Sequence, residues 1–189
     1  MRRLIIDTET TGLSPVKHQV LTVGLLATDI TKTRIKILDQ NHILIKHKSY
    51  HINPIAMRIN KIDLNQHNKI ATPTNKACIK IKNFITTNNL QSTTTLGHNL
   101  RFDKNFLTNL FTQNKKQFPF NEQHEDTMHI WKLLQSQSIV PSHLKANLKT
   151  VASYFNIDYK GAHDALVDCH ITAKAYKEML KITPRRKRD

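Results

Sequence analysis

Leu4-Ile5-Ile6-Asp7-Thr8-Glu9-Thr10-Thr11-Gly12-Leu13 is the stretch on which the reading of this chain turns. From Arg3 to Asp7 it is a short apolar strand, and beyond it Gly12, Ser14 and Pro15 mark a turn. Side chains of a strand alternate between faces, so Asp7 and Glu9 emerge on the same side and can converge on one cation that neither would hold well alone. Their place adds weight, because ligands of α/β folds gather beyond the carboxyl ends of strands. Taken alone, such a pair is common in strands that bind no metal.

Working outward, Val20 to Thr28 reads as a second strand, and Arg34 to Ile45 as a third with an adjoining hairpin, an antiparallel start to a mixed sheet. Ile55 to Ile62 fits a short helix. Thr74 to Asn88 fits a longer one, with Ala77, Cys78, Ile81, Phe84 and Ile85 spaced for a single face. Thr93 to Leu96 reads as a further strand. Phe102, Phe106, Leu107 and Leu110 share one side of a helix over Phe102 to Phe111, as Ile130, Trp131 and Leu134 do over Thr127 to Leu134. Leu148, Val151, Ala152 and Phe155 mark another helix that Asn156 ends, and Asp164 to Leu180 is the last long one. Strands followed by intervening helices predict one α/β domain over residues 1–181, a mixed central sheet flanked by helices on both sides. Residues 182–189 form a short basic tail that begins with a helix-breaking Pro184.

A chain of 189 residues is long enough for a sizeable core, and its 39% hydrophobic residues fall in dense runs, which argues against disorder. Lys and Arg number 29 against 14 Asp and Glu, a formal charge of +15 that favours an anionic partner. Nucleic acid is one such partner; a coding bias towards Lys, Asn and Ile gives the same composition. Cys78 and Cys169 are too few for a disulfide scaffold or a cysteine-based zinc site and sit among apolar positions, as core residues do. No apolar run approaches the ~18 residues of a membrane span, and no cleavable leader is visible at the start. The expected setting is therefore cytoplasmic, with no membrane partner.

Two further carboxylates stand near helix starts. Asp103 follows Gly97-His98-Asn99, where a cap would serve equally well, and Asp164 fits a capping role better than a chemical one. His163 and Asp168 are five apart and would point away from each other if both were helical. With His163 in the loop before the first turn, it can fold back over the face that carries Asp168; a surface or capping histidine is the plainer alternative.

Taken together, Asp7-Thr8-Glu9-Thr10-Thr11-Gly12-Leu13, Gly97-His98-Asn99-Leu100-Arg101-Phe102-Asp103 and His163-Asp164-Ala165-Leu166-Val167-Asp168 resemble, in order and spacing, the three motifs of the DEDDh family of 3'-5' exonucleases. The resemblance runs from Leu4 to about Leu180. It implies a ribonuclease H-like fold and a phosphodiester hydrolase that uses two Mg2+ or Mn2+ ions, with Asp7, Glu9, Asp103 and Asp168 as metal ligands and His163 as general base. By the same resemblance Thr8, Thr10, Gly12, Leu13, His98, Asn99 and Phe102 border the substrate, with His98 and Asn99 supporting the motif. The implied substrate is a single-stranded or frayed DNA 3' end, released as 5'-mononucleotides. Where the family often has Glu-Ile-Gly in its second strand, this chain has Thr22-Val23-Gly24, and Asn60-Lys61 replaces a common His-Gly.

Within the family, Ala165 to Ala173 looks most like bacterial exonuclease X and less closely like the proofreading epsilon subunit of DNA polymerase III. A chain that stops just after its last helix points to a stand-alone DNA exonuclease of repair or replication. An exoribonuclease of the same family and a polymerase-associated proofreading subunit are the alternatives. A polymerase partner and a homodimer both stay open, and a non-catalytic nucleic-acid-binding module would leave the five-residue set without purpose.

Overall fold

The structure, a computed structural model, describes residues 1–184. Its centre is β1 (Arg2–Thr10), which pairs antiparallel with β2 (Val20–Ile30), itself antiparallel to β3 (Ile35–Lys46). Three short strands, β4 (Thr72–Pro73), β5 (Thr95–Gly97) and β6 (His124–Asp126), add in parallel to give the order β4-β3-β2-β1-β5-β6. The helices are α1 (Pro54–Asn60), α2 (Leu64–Ile70), α3 (Thr74–Thr87), α4 (Leu100–Gln113), α5 (Thr127–Ser136), α6 (Leu148–Tyr154) and α7 (Ala165–Ile182).

Alternation along β1 divides the core. Leu4 and Ile6 pack with Ile81, Phe84, Phe106 and Leu107 of α3 and α4, whereas Ile5 packs with Cys169, Ala173 and Tyr176 of α7 on the other face. A sheet buried on both faces is why these strands read as near-continuous apolar runs. This is the mixed α/β arrangement expected, with the antiparallel start in place and α3 burying the predicted face of Ala77, Cys78, Ile81, Phe84 and Ile85.

Several expectations are corrected. β1 runs past Asp7, where the apolar strand was expected to end, to Thr10, because β2 stays paired with it as far as Val20 across an irregularity at Glu9/Thr10. Phe102 does share the core side of α4, but at its edge: it lies in the first turn, half-buried against Phe106 with ring centroids 4.8 Å apart, while Phe106, Leu107, Leu110 and Phe111 fill the interior. α2 and β6 carry no apolar period to announce them. Asp63 caps α2, which buries only His67, and β6 is the polar triplet His124-Glu125-Asp126. The last helix extends through Ile182, and the remainder of the basic tail, residues 185–189, lies outside the described residues. Among the described residues no helix is long and apolar enough to cross a membrane.

One glycine sets the distance between sheet and helix. A Cβ on Gly24 would lie 2.3 Å from the carbonyl oxygen of Ala165, a backbone atom that cannot move aside. Gly24 pairs with Asp7 in the β1–β2 ladder, so its bare Cα lets the start of α7 settle directly beside Asp7.

Candidate active site

Three elements converge at the end of β1. The strand supplies Asp7 and Glu9, the first turn of α4 supplies Asp103 and the first turn of α7 supplies Asp168. Asp103 is 3% exposed and accepts a 2.7 Å hydrogen bond from the Thr8 hydroxyl, so it does not cap its helix. That duty falls to Asp126 at the end of β6, which accepts from the amides of Asn99, Leu100 and Met128 and so fixes the starts of α4 and α5 together. Asp164 is the N-cap of α7, accepting from Leu166 and Val167, as its position in the sequence suggests.

His163 precedes that cap with a left-handed backbone, φ 70°. This turn folds it back over Asp168, whose Oδ2 accepts from the His163 amide at 3.2 Å. A histidine nitrogen of His163 and carboxylate oxygens of Glu9 and Asp168 lie within 4.8 Å of one another, a candidate metal-binding cluster. Asp7 belongs to the same field of charge. Burial raises its pKa well above the carboxylate range, and the nearby charges of Asp103, Asp168 and Glu9 raise it further. Burial and the charges of Asp168, Asp103 and Asp164 push Glu9 up to about 8. Burial takes Asp103 to about 7, against the hydrogen bond from Thr8 that favours its charge, and takes Asp168 to about 6 against the His163 amide.

Carboxylates gathered in this way repel each other unless protonated or matched by a cation. The cluster of Glu9, Asp168 and His163 offers carboxylate oxygens and an imidazole nitrogen, which suits a divalent ion, and Asp168 Oδ1 is buried with no hydrogen-bond partner among the described residues; Asp7 and Asp103 stand beside this cluster rather than in it.

The supporting residues divide by task. His98 sets Nε2 3.1 Å from the Ala146 carbonyl and Nδ1 2.9 Å from the Thr127 hydroxyl, so both nitrogens are engaged inside the protein, and burial lowers its pKa. Asn99 takes the left-handed position at the start of α4. Thr10 donates to the Gly12 carbonyl, and Gly12 lies under the His18 ring where a Cβ would collide. On the outer side of Thr8 and Glu9 opens a cleft of about 260 Å³ walled by Leu13, Ile55, Ile59 and Phe102. Leu13 is 76% exposed and Ile55 63%, which leaves apolar surface open to solvent among the described residues. A second cavity, about 360 Å³, reaches Asp7, Asp168 and His163 from another side, past Tyr159 and Lys149.

Asp126, Asn60 and Tyr159 take structural parts here that their sequence positions did not assign them. Asn60 is buried, donates to the Thr10 carbonyl and accepts from the Ile62 amide, which ties α1 to the end of β1. A buried Asn inside an otherwise apolar helix pattern was the available signal. Tyr159 had none, since a single aromatic before a loop is ordinary.

Comparison with known proteins agrees with this arrangement. A family model described as RNase_T, exonuclease, matches residues 4–176. Ribonuclease T of Buchnera aphidicola subsp. Baizongia pistaciae (strain Bp) is 27% identical over 182 residues, covering 92% of this chain and 81% of the relative. A solved structure of exonuclease I superposes with a TM-score of 0.83 at 20% identity, covering 98% of this chain and 42% of that one. E. coli exonuclease I in complex with a dA16 oligonucleotide gives 0.83 at 20% identity over 97% of this chain and 42% of that one. The chain thus spans about two fifths of the exonuclease I chains, and at this identity the likeness is one of fold.

Proposed function

The chain belongs to the RNase_T exonuclease family as an enzyme of the DEDDh type, and we propose that it is a metal-dependent 3'-5' exonuclease that removes 5'-mononucleotides from single-stranded 3' ends, with DNA as its substrate. The observation that carries the reading is the meeting of Asp7, Glu9, Asp103 and Asp168 in one repelling cluster beside the free ring of His163 and a short apolar cleft.

In this reading Asp7, Glu9, Asp103 and Asp168 hold two Mg2+ or Mn2+ ions. When bound, such ions supply activation of the attacking water and stabilisation of charge on the leaving oxygen. The chain's own residues do the rest. Leu13, Ile55, Ile59 and Phe102 take the terminal base, whose flat face suits an apolar cleft of this size. Thr8 aims Asp103 and favours its charged form by its hydrogen bond, against the effect of burial. A ring nitrogen of His163 accepts the proton of the attacking water; the oxygen bonds to phosphorus, the P–O3' bond breaks, and the leaving O3' takes a proton from solvent, so that the shortened strand ends in a 3' hydroxyl. Histidine suits that transfer because it titrates near neutral pH.

DNA as substrate has behind it the oligodeoxynucleotide complexes of exonuclease I, the solved fold relatives. The name of the curated relative, ribonuclease T, favours RNA as a second reading. The cleft's walls touch bases, so sugar choice rests on contacts to the 2'-OH. The run Ala165 to Ala173 stands behind a kinship with exonuclease X or the epsilon subunit; the relatives found are ribonuclease T and exonuclease I, and the proposal therefore rests at the level of the family. A cytoplasmic setting belongs to the same proposal, in keeping with two free, buried cysteines.

The test uses matched DNA and RNA strands with Mg2+ or Mn2+. A 3' label should leave at once as a mononucleotide while a 5'-labelled strand shortens stepwise, and EDTA should stop both. Prompt cutting of circular single-stranded DNA would contradict an exonuclease, and RNA consumed much faster than DNA would move the substrate to the second reading.

A further inference from the structure

A general base works only if its ring is aimed, and in hydrolases of the Ser-His-Asp kind a third group does the aiming by a hydrogen bond to the far nitrogen. His163 lacks that device. Among the described residues neither of its ring nitrogens makes a hydrogen bond within the chain; its amide is the group bound to Asp168. The residue is exposed, and the loop before it passes through Gly161 at φ 81°. A second ring does meet it: Tyr159 stands edge to face with the imidazole, centroids 6.3 Å apart and planes at 89°, within the geometry that aromatic pairs favour.

Tyr159 is itself well anchored. It packs against the small core of Leu148, Ala152 and Ile171, which joins α6 to α7, and so reports the position of both helices to the loop between them. Its ring also lines the cavity that reaches Asp7, Asp168 and His163, together with Lys149 and Asn147.

Building on the exonuclease reading, we propose that Tyr159 is the positioning residue for His163: its ring, not its hydroxyl, holds the imidazole over the carboxylates. The non-polar buttress leaves both imidazole nitrogens free, one to take the proton of water and one to pass it to solvent through the open cavity. A hydrogen-bonded orienter would occupy the second nitrogen.

The experiment compares Y159F and Y159L with wild type, each alone and combined with H163A. Leucine keeps the packing against Leu148, Ala152 and Ile171 while removing the ring. Y159F should hold kcat within about threefold and retain a ring-to-ring nuclear Overhauser contact with His163. Y159L should lose about 10- to 100-fold in kcat, the scale of a misplaced reacting group, with KM and Mn2+ affinity nearly unchanged. In the H163A background, Y159L should cost less than twofold more. Loss of activity in Y159F equal to that in Y159L would assign the role to the hydroxyl and overturn the proposal. An undiminished effect of Y159L on H163A, or normal turnover by Y159L, would overturn it as well. A wild type that hydrolyses no strand would remove the exonuclease reading and this one with it, whereas an active wild type with an uncoupled pair removes this one alone.

Discussion

Asp7, Asp103 and Asp168 are carried by the central strand and by the first turns of two long helices, whereas His163 sits exposed in a loop with a left-handed backbone. The carboxylates are placed by the deepest contacts of the fold: Gly24 against Ala165, Thr8 on Asp103, Asp126 across the starts of α4 and α5. His163 is placed by one amide hydrogen bond and one aromatic contact. Groups that must hold charge against mutual repulsion need a rigid frame, while His163, in the proposed role of exchanging protons with water, needs access. Under that proposal the two regions serve different ends.

Substitutions should separate the regions, beginning with the rigid one. Asp7→Asn or Asp168→Asn should lower single-turnover hydrolysis by about 1,000-fold or more, the worth of several kcal/mol of charge stabilisation. Neither should lower the melting temperature of the metal-free protein, because each removes a buried carboxyl group whose charged form burial and its neighbours disfavour. His163→Ala should cost about 100- to 10,000-fold in the same assay, the contribution of a positioned base, with the strand bound as before.

The cleft gives a smaller effect of another kind. Leu13→Ala or Phe102→Ala should raise KM for short strands roughly tenfold, from stacking worth about 1–3 kcal/mol per base, with kcat changed less. Equal losses in kcat and kcat/KM would mean that these walls act in the transition state instead.

The smallest effect is thermal. Glu9, Asp103 and Asp168 bind protons more tightly in the folded chain than unfolded carboxylates do, with pKa values of about 8, 7 and 6. The stability they contribute is present below about pH 4 and is lost as pH rises through 6 to 8. In EDTA the melting temperature should therefore fall by a few degrees across that window, and Mg2+ or Mn2+ should raise it more at pH 8 than at pH 6. A melting temperature in EDTA that climbed between pH 6 and 8 would count against the mutual repulsion described above.

The same contrast governs what the sequence makes legible. Strand and helix cores announce themselves by period, so β1 to β3, α3 and α7 could be read from their apolar runs, and the buried face of α3 residue by residue. The paired positions of Asp7 and Glu9 follow from strand alternation alone. Contacts between distant segments leave no period. Nothing local in His124-Glu125-Asp126 shows that Asp126 caps a helix 26 residues earlier, and nothing near Tyr159 shows that it meets His163. Phe102 fits the apolar stripe of its helix and packs at the edge of the core, and only the position of α4's first turn shows that it also walls the cleft.

The division between frame and loop is tested most directly by titrating Mn2+ into wild type, His163→Ala and Asp168→Asn while following single-turnover cleavage of the same samples. A nitrogen of His163 lies within 4.8 Å of the carboxylate oxygens of Glu9 and Asp168, close enough to serve as a ligand itself. The account predicts that His163→Ala binds Mn2+ within about threefold of wild type yet cleaves about 100-fold more slowly or worse, and that Asp168→Asn loses both. Manganese affinity falling as far in His163→Ala as in Asp168→Asn would make His163 a metal ligand and contradict it.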